Sequence, residues 1–475
     1  MNDLVSLGPR PRGSSPAVLE ASPPGRRRVF IHTFGCQMNE VDSDRMLELL
    51  VRHGFEATRD PEEADVILVN TCAIREKAEQ KLLSALGRYR ESRARRGALL
   101  VVSGCVAQQE KERLLARVPY LDLVFGPDHV GRLPELLARA ERERFAETGF
   151  VGSEEYVFPR ADAASARGRV TAFVTAMKGC DKVCSFCVVP YTRGREVSRP
   201  FADVVLECAA LAEVGVREVT LIGQNVNSYA GGCDFATLLR RVAAVPGLAR
   251  VRFTTSHPHD LSDALVTAFR EEERVMPHFH LPVQSGSDPV LARMRRDYTV
   301  AAYLERLDKL RRARPGIAVT TDFIVGFPGE TEEDFASSLA LLERVRFDNS
   351  FSFVYSPRPH TGAARRLGSA PEWAEVPREV SLARLLRLQA VQRRISSETL
   401  AGEVGRVVTV LVEGELDGEA GRRFGRTPEN RVVHLDASAE RAPSGACLPV
   451  RVTRAHANSL SGAVAVGPER AGSAG

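Results

Sequence analysis

From residue 28 onward, short apolar runs alternate with longer segments whose apolar residues recur at helical spacing. The runs RVFIHTFG, DVILVN, ALLVVSG and LDLVFG are strand-length, and SDRMLELLVRHG and REKAEQKLLSALGRYR lie between the first three. Strand, helix, strand, helix, strand is the pattern of a parallel sheet covered on both faces, so residues 28–145 are predicted to form a doubly wound α/β unit. A second series follows: TAFVTAMKG, EVTLIGQN, RVRFTTSHP, HFHLPVQSG, AVTTDFIVGFPGE and SFSFVYSPRPHTG, again separated by helical segments. Each run ends in polar residues, Gly or Pro, as strands do when their C-terminal ends carry the site of a β/α barrel. Six repeats predict a partial (β/α)6 barrel over 168–397 instead of the closed eight. Beyond the helical stretch 378–394 the period falls to two, with Val at alternating positions, and 398–466 is predicted to be a small β-barrel of the oligonucleotide-binding kind. The polar stretch 146–167 reads as a linker, and the Pro-, Gly- and Ser-rich ends, 1–27 and 467–475, as disordered tails.

Composition narrows the class. At 475 residues and 44% hydrophobic content the chain has room for several domains with real cores. No run approaches a membrane span, and the N-terminus lacks the apolar core of a secretory signal, so a cytoplasmic protein is expected. With 65 Lys and Arg against 61 Asp and Glu, net charge does not announce a nucleic-acid binder. Any such case rests on local patches: 87–97 and 378–394 are rich in arginine, and Arg422, Arg423 and Arg426 of the last barrel are candidate phosphate contacts.

Nine cysteines are too sparse for a disulfide scaffold, so their clustering is what matters. Cys180, Cys184 and Cys187 form a C-x3-C-x2-C loop at the end of the first barrel strand. Soft thiolates at that spacing suit an iron–sulfur cluster, and three of them leave one iron open. A structural zinc asks for four closed ligands, and no fourth cysteine or HxxxH group lies nearby. Cys36, Cys72 and Cys105 each follow one strand of the N-terminal sheet by a residue or two. Strand ends on the carboxyl edge of a parallel sheet are neighbours, so these three should converge into a second site. Cys208, Cys233 and Cys447 are expected to be structural, and the histidines of SHPHD and HFH to serve substrate or packing, not metal.

With Phe186 as the aromatic, C-x3-C-x-aromatic-C resembles the signature of the radical S-adenosylmethionine (SAM) superfamily. The resemblance implies a 4Fe–4S cluster on Cys180, Cys184 and Cys187 whose open iron binds SAM, with Gln224, Asn225 and Gly326 as SAM-contact candidates. One departure is visible: many superfamily members carry an acidic Gly-Gly-Glu after the second strand, where this chain has Gly-Gln-Asn. Taken with TFGCQMNEVDSD, NTCAIREKAEQK, GCDKVCSFCVVPYTRGREVSR, IGQNVNSY and TTSHP, nearly the whole chain after residue 27 resembles the methylthiotransferase family, whose last domain is a TRAM barrel.

That resemblance implies an auxiliary 4Fe–4S cluster on Cys36, Cys72 and Cys105, two uses of SAM, and insertion of a methylthio group at carbon 2 of an isopentenylated adenosine next to the tRNA anticodon. It further implies tRNA, a flavodoxin-type electron donor and a sulfur donor as partners, no membrane, and a monomer. The competing expectations are a methylthiotransferase acting on threonylcarbamoyladenosine or on a ribosomal protein, a radical SAM enzyme with a single cluster, and a non-catalytic RNA-binding iron–sulfur protein.

Overall fold

The structure is a computed structural model that describes residues 26–73, 78–416 and 419–465; the tail expected at 1–27 lies outside the described residues up to 25, and that at 467–475 does so entirely. The N-terminal unit runs β1 (Arg28–Phe34), α1 (Gln37–Arg52), β2 (Glu56–Ala57), β3 (Val66–Thr71), α2 (Ala78–Arg96), β4 (Leu99–Gly104), α3 (Cys105–Glu110), α4 (Glu112–Arg117), β5 (Leu123–Phe125), α5 (Leu133–Ala140) and β6 (Phe145–Glu147). Its sheet is all parallel in the order β2-β1-β3-β4-β5-β6. Every residue of β3 is buried because successive side chains feed two cores. Val66 and Leu68 pack with Met46 and Leu50 of α1 and Leu133 of α5, whereas Ile67 and Val69 pack with Leu82 and Leu86 of α2. The edge strands β2 and β6 are too short to carry a readable period.

The central unit runs β7 (Thr171–Thr175), β8 (Met177–Lys178), α6 (Val189–Thr192), β9 (Val197–Ser198), α7 (Phe201–Glu213), β10 (Glu218–Ile222), α8 (Phe235–Ala243) and β11 (Arg250–Phe253). It continues through α9 (Asp263–Glu271), β12 (His278–His280), α10 (Asp288–Arg293), α11 (Val300–Ala313), β13 (Ala318–Val325), α12 (Glu332–Val345) and β14 (Asn349–Val354). The six barrel strands β7, β10, β11, β12, β13 and β14 are parallel neighbours in chain order. They form two three-stranded halves joined by the Val251–Val275 bridge, and no pairing closes β14 onto β7 among the described residues. The barrel is therefore partial, as expected. Its open flank is covered by α1, where Met38 and Val41 pack with Phe173, Ile222 and Cys36.

Helices α13 (Gly362–Arg366) and α14 (Arg378–Ala401) lead to β15 (Val407–Leu416), β16 (Glu419–Arg426), β17 (Val432–Leu435), β18 (Cys447–Ala455) and β19 (Leu460–Val464), a closed barrel in the order β15-β16-β17-β19-β18. Alternate residues Val410, Val412, Val433, Leu435, Val450 and Val452 fill it. This domain sits under the N-terminal ends of the central strands. Arg250 donates to the carbonyls of Arg426 and Thr409 at 2.7 and 3.2 Å, and Arg252 to those of Pro428 and Thr427 at 2.8 and 2.9 Å. Buried Glu218 lies 3.0 Å from Arg252 and balances its charge.

Several arginines of the patches form ion pairs, one buried and the others at or near the surface. Arg384 pairs with Glu330, Arg387 with Glu332, and Arg394 with Glu343 and Glu398. In α2, Arg93 pairs with Asp122, Arg95 with Glu62 and Arg96 with Asp65. Arg426 is held by Glu413 at 3.1 Å, and Arg423 faces Glu415. For the helices, Glu330, Glu332, Glu343, Glu62, Asp65 and Asp122 come from distant parts of the chain, which a local charge count does not reveal. No helix among the described residues is long and apolar enough to cross a membrane.

Candidate active site

The parallel register sets Phe34, Thr71 and Gly104 in one row, so the residues that follow leave the sheet side by side. Two glycines make the approach close enough for thiols to meet. A Cβ on Gly35 would stand 2.5 Å from Cys72 Cβ, and one on Gly104, whose φ is +94°, would stand 2.4 Å from both Asn70 Oδ1 and the Thr71 carbonyl. Asn39 Nδ2 donates to Asn70 Oδ1 at 3.0 Å, and Asn70 Nδ2 donates back to the Asn39 carbonyl at 2.8 Å, which pins the start of α1 to β3. Cys36, Cys72 and Cys105 thus converge, with Cys72 hydrogen-bonded to both of the others. The bond with Cys72 draws the Cys105 thiol down to about 6 against the opposing effect of burial, with the Arg193 charge assisting.

Arg193 enters this set from the central unit, on the segment just beyond Cys187. It is buried, donates from Nε to Cys105 Sγ at 3.3 Å and from Nη2 to Asn39 Oδ1 at 3.4 Å, and pairs with Asp42 at 2.8 Å. Nothing in its sequence neighbourhood marks it as part of the N-terminal site.

The second set lies in the loop between β8 and β9. Gly179, at φ +75°, has no room for a Cβ because the Arg195 carbonyl would be 1.9 Å away. The next residue, Cys180, starts the loop. Ser185 N–H donates to the Met294 carbonyl at 2.9 Å, and Ala363 N–H donates to the Ser185 carbonyl at 2.7 Å, so two later loops of the barrel hold the middle of the motif. Burial pushes the Cys180 and Cys187 thiols up to about 12. Arg296 donates to Cys184 Sγ at 3.4 Å, and His257 Nε2 lies 3.9 Å from it. Each three-thiol set therefore has one buried guanidinium on a sulfur.

The three SAM candidates have different surroundings. Gln224 Oε1 accepts the Gly179 N–H, so this side chain holds the turn into Cys180. Buried Asn225 donates to Asp260 Oδ2 at 2.8 Å and Glu196 Oε1 at 3.4 Å, while its own Oδ1 is buried without a partner. Asp260 also pairs with Lys182 of the cysteine loop at 2.7 Å. Glu196 and Asp260 place carboxylates beside the position where the Gly-Gln-Asn departure removes one. At Gly326 the space of a side chain is taken by Ser381, whose Oγ would lie 2.1 Å from a Cβ, and the Gly326 N–H donates to Glu330. Cys208 is buried in α7, Cys233 is half-buried and Cys447 is exposed, all apart from these sets.

Among the described residues no three His, Cys, Asp or Glu side chains close on a point as the ligands of one ion do. A cubane asks for something else: a thiolate at each of several separate corners, with a cation or N–H near the sulfurs. Both sets fit that demand by donor type, by triplet number and by their arginines.

The fold is that of a radical SAM protein bearing an added α/β unit and a TRAM barrel. Residues 174–342 match the radical SAM superfamily, 402–465 the TRAM domain, and 28–126 the uncharacterized protein family UPF0004. A radical S-adenosylmethionine methyltransferase, TsrM from Kitasatospora setae, solved with cobalamin and a 4Fe–4S cluster, is similar over 73% of this chain and 75% of that one, with TM-score 0.53 and 16% identity, a likeness of fold alone. A tRNA-2-methylthio-N(6)-dimethylallyladenosine synthase from Anaeromyxobacter sp. (strain K) is 73% identical over 98% of this chain and 100% of its own length. One of the same name from Myxococcus xanthus (strain DK1622) is 65% identical over 92% and 94%. The chain belongs to the tRNA-2-methylthio-N(6)-dimethylallyladenosine synthase family.

Proposed function

We propose that the chain is a methylthiotransferase that replaces the carbon 2 hydrogen of N6-isopentenyladenosine, next to the tRNA anticodon, with a methylthio group. The observation that carries this reading is the pair of three-thiol sets on two sides of one barrel, tied by Arg193. Cys180, Cys184 and Cys187 would hold one 4Fe–4S cluster and Cys36, Cys72 and Cys105 the other. When bound, the clusters and SAM supply one-electron cleavage of SAM, hence a radical able to attack an unactivated C–H bond, and a sulfur to be methylated and transferred.

The chain's own residues then bind, orient and exclude. Gln224 fixes the turn into Cys180, and Asn225 offers a buried acceptor for a donor of SAM, with Glu196 and Asp260 beside it for the ammonium group. Gly326 remains a SAM candidate only through its backbone. Arg193 and Arg296 balance thiolate charge. Arg250, Arg252 and Glu218, capped by the carbonyls of Thr409, Arg426, Thr427 and Pro428 of the TRAM barrel, close the barrel floor to water. The target base lies in a loop and is splayed at little unpairing cost. The reaction needs a one-electron donor, for which a flavodoxin-type protein is suited, and a sulfur donor to restore what is transferred. We assign a cytoplasmic, monomeric enzyme.

The test is anaerobic reconstitution with iron and sulfide, then SAM, reductant and tRNA carrying isopentenyladenosine, with nucleoside mass spectrometry. The expected protein carries about 8 irons, two cubanes' worth, and makes the methylthio nucleoside. SAM cleavage without that product, on protein with both clusters, overturns the substrate assignment.

A further inference from the structure

The pairing of β12, β13 and β14 turns a particular set of side chains into the barrel. On β13, Val319, Thr321, Phe323 and Val325 are buried against the surrounding helices, so Thr320, Asp322 and Ile324 face the lumen. Register places His280 of β12 beside Thr320, and Phe351 and Phe353 of β14 beside Asp322 and Ile324. His280 Nε2 lies 3.5 Å from Asp322 Oδ1, and His280 Nδ1 lies 3.0 Å from Thr320 Oγ1. The His280 ring also meets Phe351 edge-on, with centroids 5.9 Å apart at 70°.

Two features set this wall apart from the barrel floor. The floor charges are consumed: Arg250, Arg252 and Glu218 are 3–5% exposed and bonded to one another or to the TRAM barrel. The Asp322 side chain is 26% exposed, and among the described residues its nearest basic group is His280, whose Nε2 stands 3.5 Å from the carboxylate. Above it the wall is aromatic and open: Phe353 is 44% exposed although it points to the lumen.

The wall also reaches the loop of Cys180, Cys184 and Cys187. Ile324, one inward step up β13 from Asp322, packs in the same apolar cluster as Phe186 of the Cys184–Cys187 segment. Across the barrel, Phe173 and Ile222 pack with Cys36 and Met38. An acceptor carboxylate beside a histidine, next to accessible aromatic rings, is what recognises a flat heterocycle that carries an N–H on its edge.

We propose that Asp322, oriented by His280 and flanked by Phe351 and Phe353, is the receptor for the splayed purine base of the RNA, with the carboxylate accepting the N–H on the purine's carbon 6. N6-isopentenyladenosine retains one such N–H, so its bond to Asp322 fixes the ring while carbon 2, on the far side of N1, stays free for the reaction. Asp322 and His280 are positioning residues in this assignment. It rests on the RNA-substrate reading above. An adenine ring is also part of SAM, so the experiment separates the two sources.

The test uses the reconstituted full chain and two stem-loop RNAs, one with N6-isopentenyladenosine and one with the 6-O-isopentenyl ether of inosine, which keeps the alkyl chain but has no N–H on carbon 6, at the target position. Equilibrium binding of each RNA and of SAM is measured for the wild type, Asp322→Leu, which removes the acceptor at similar volume, and His280→Gln. A hydrogen bond to a charged group corresponds to about 10- to 100-fold in affinity, which is the wild-type preference expected for the first RNA. That preference should collapse in Asp322→Leu and shrink in His280→Gln, while the SAM dissociation constant moves less than about twofold. No wild-type preference, a preference that survives Asp322→Leu, or a loss confined to SAM affinity each overturns the assignment. Failure of the wild type to form the methylthio nucleoside would instead refute the function reading, whatever the binding preference.

Discussion

Arg193 offers the sharpest test of how the two halves of the site are joined. Its guanidinium is carried by the cysteine-loop segment of the barrel, yet its partners, Asp42, Asn39 and Cys105, all belong to the N-terminal unit. The side chains of Arg193 and Asp42 are 5% and 18% exposed. Removing one member of a buried ion pair leaves the other as an uncompensated charge, at about 3–5 kcal/mol. The residual exposure of Asp42 puts Arg193→Gln near the lower end, about 3 kcal/mol. Asp42→Asn leaves Arg193 with Cys105 and Asn39, and the double variant removes both charges together. The double variant should therefore lose less than the sum of the single losses by at least about 1 kcal/mol. Guanidinium unfolding of the four apo proteins, followed by far-ultraviolet dichroism, measures this cycle. In the reconstituted protein Arg193→Gln also removes an N–H from a candidate ligand sulfur, so the potential of the auxiliary cluster should fall while that of the SAM cluster stays put. Additive single losses below about 1 kcal/mol, or equal shifts of both potentials, would refute the reasoning.

Three further outcomes are expected. Gly104→Ala forces a Cβ to within 2.4 Å of Asn70 Oδ1 and the Thr71 carbonyl, so iron content should drop from about 8 to about 4 per chain, with SAM cleavage retained; an unchanged iron count contradicts the strand-end account of the auxiliary site. Burial works against ionisation of Asp260, but hydrogen bonds from Asn225, His259 and Lys182 hold it at about 2. Its stabilisation is present above the ordinary carboxylate value of about 4 and is lost as pH falls through about 2, so wild type and Asp260→Asn should differ by about 2 kcal/mol near neutrality and converge in acid; a gap independent of pH argues against the ion pair. Deleting residues 402–465 bares Arg250 and Arg252, and the barrel should then melt at lower temperature even without RNA, whereas an unchanged melting temperature would deny the TRAM domain its role as floor.

Much of the site could be read from the chain because it is local. The C-x3-C-x2-C loop is contiguous, and the strand-end cysteines follow from a period of apolar runs plus the rule that parallel strands end together. The partial barrel was legible for the same reason, since each β/α repeat is one local unit. The short edge strands β2 and β6 were not, because two or three residues hold no period. The ion-pair partners of the arginine-rich helices were not legible, because Glu330, Glu343 and Asp122 reach them from elsewhere in the chain.

By itself, then, the sequence determined the kind of chemistry: two sets of soft donors, three in each, on the ends of strands. Thiolate number and strand spacing are properties of short segments and survive without knowledge of the fold. Only the tertiary structure decided what surrounds those donors. Arg193 and Cys105 are 88 positions apart and meet at 3.3 Å. His280 and Asp322 are joined by strand register, and Arg252 and Pro428 by the docking of the last barrel on the central one. Such pairings depend on which face of a strand points inward and which unit covers which edge, and packing of the whole chain sets both.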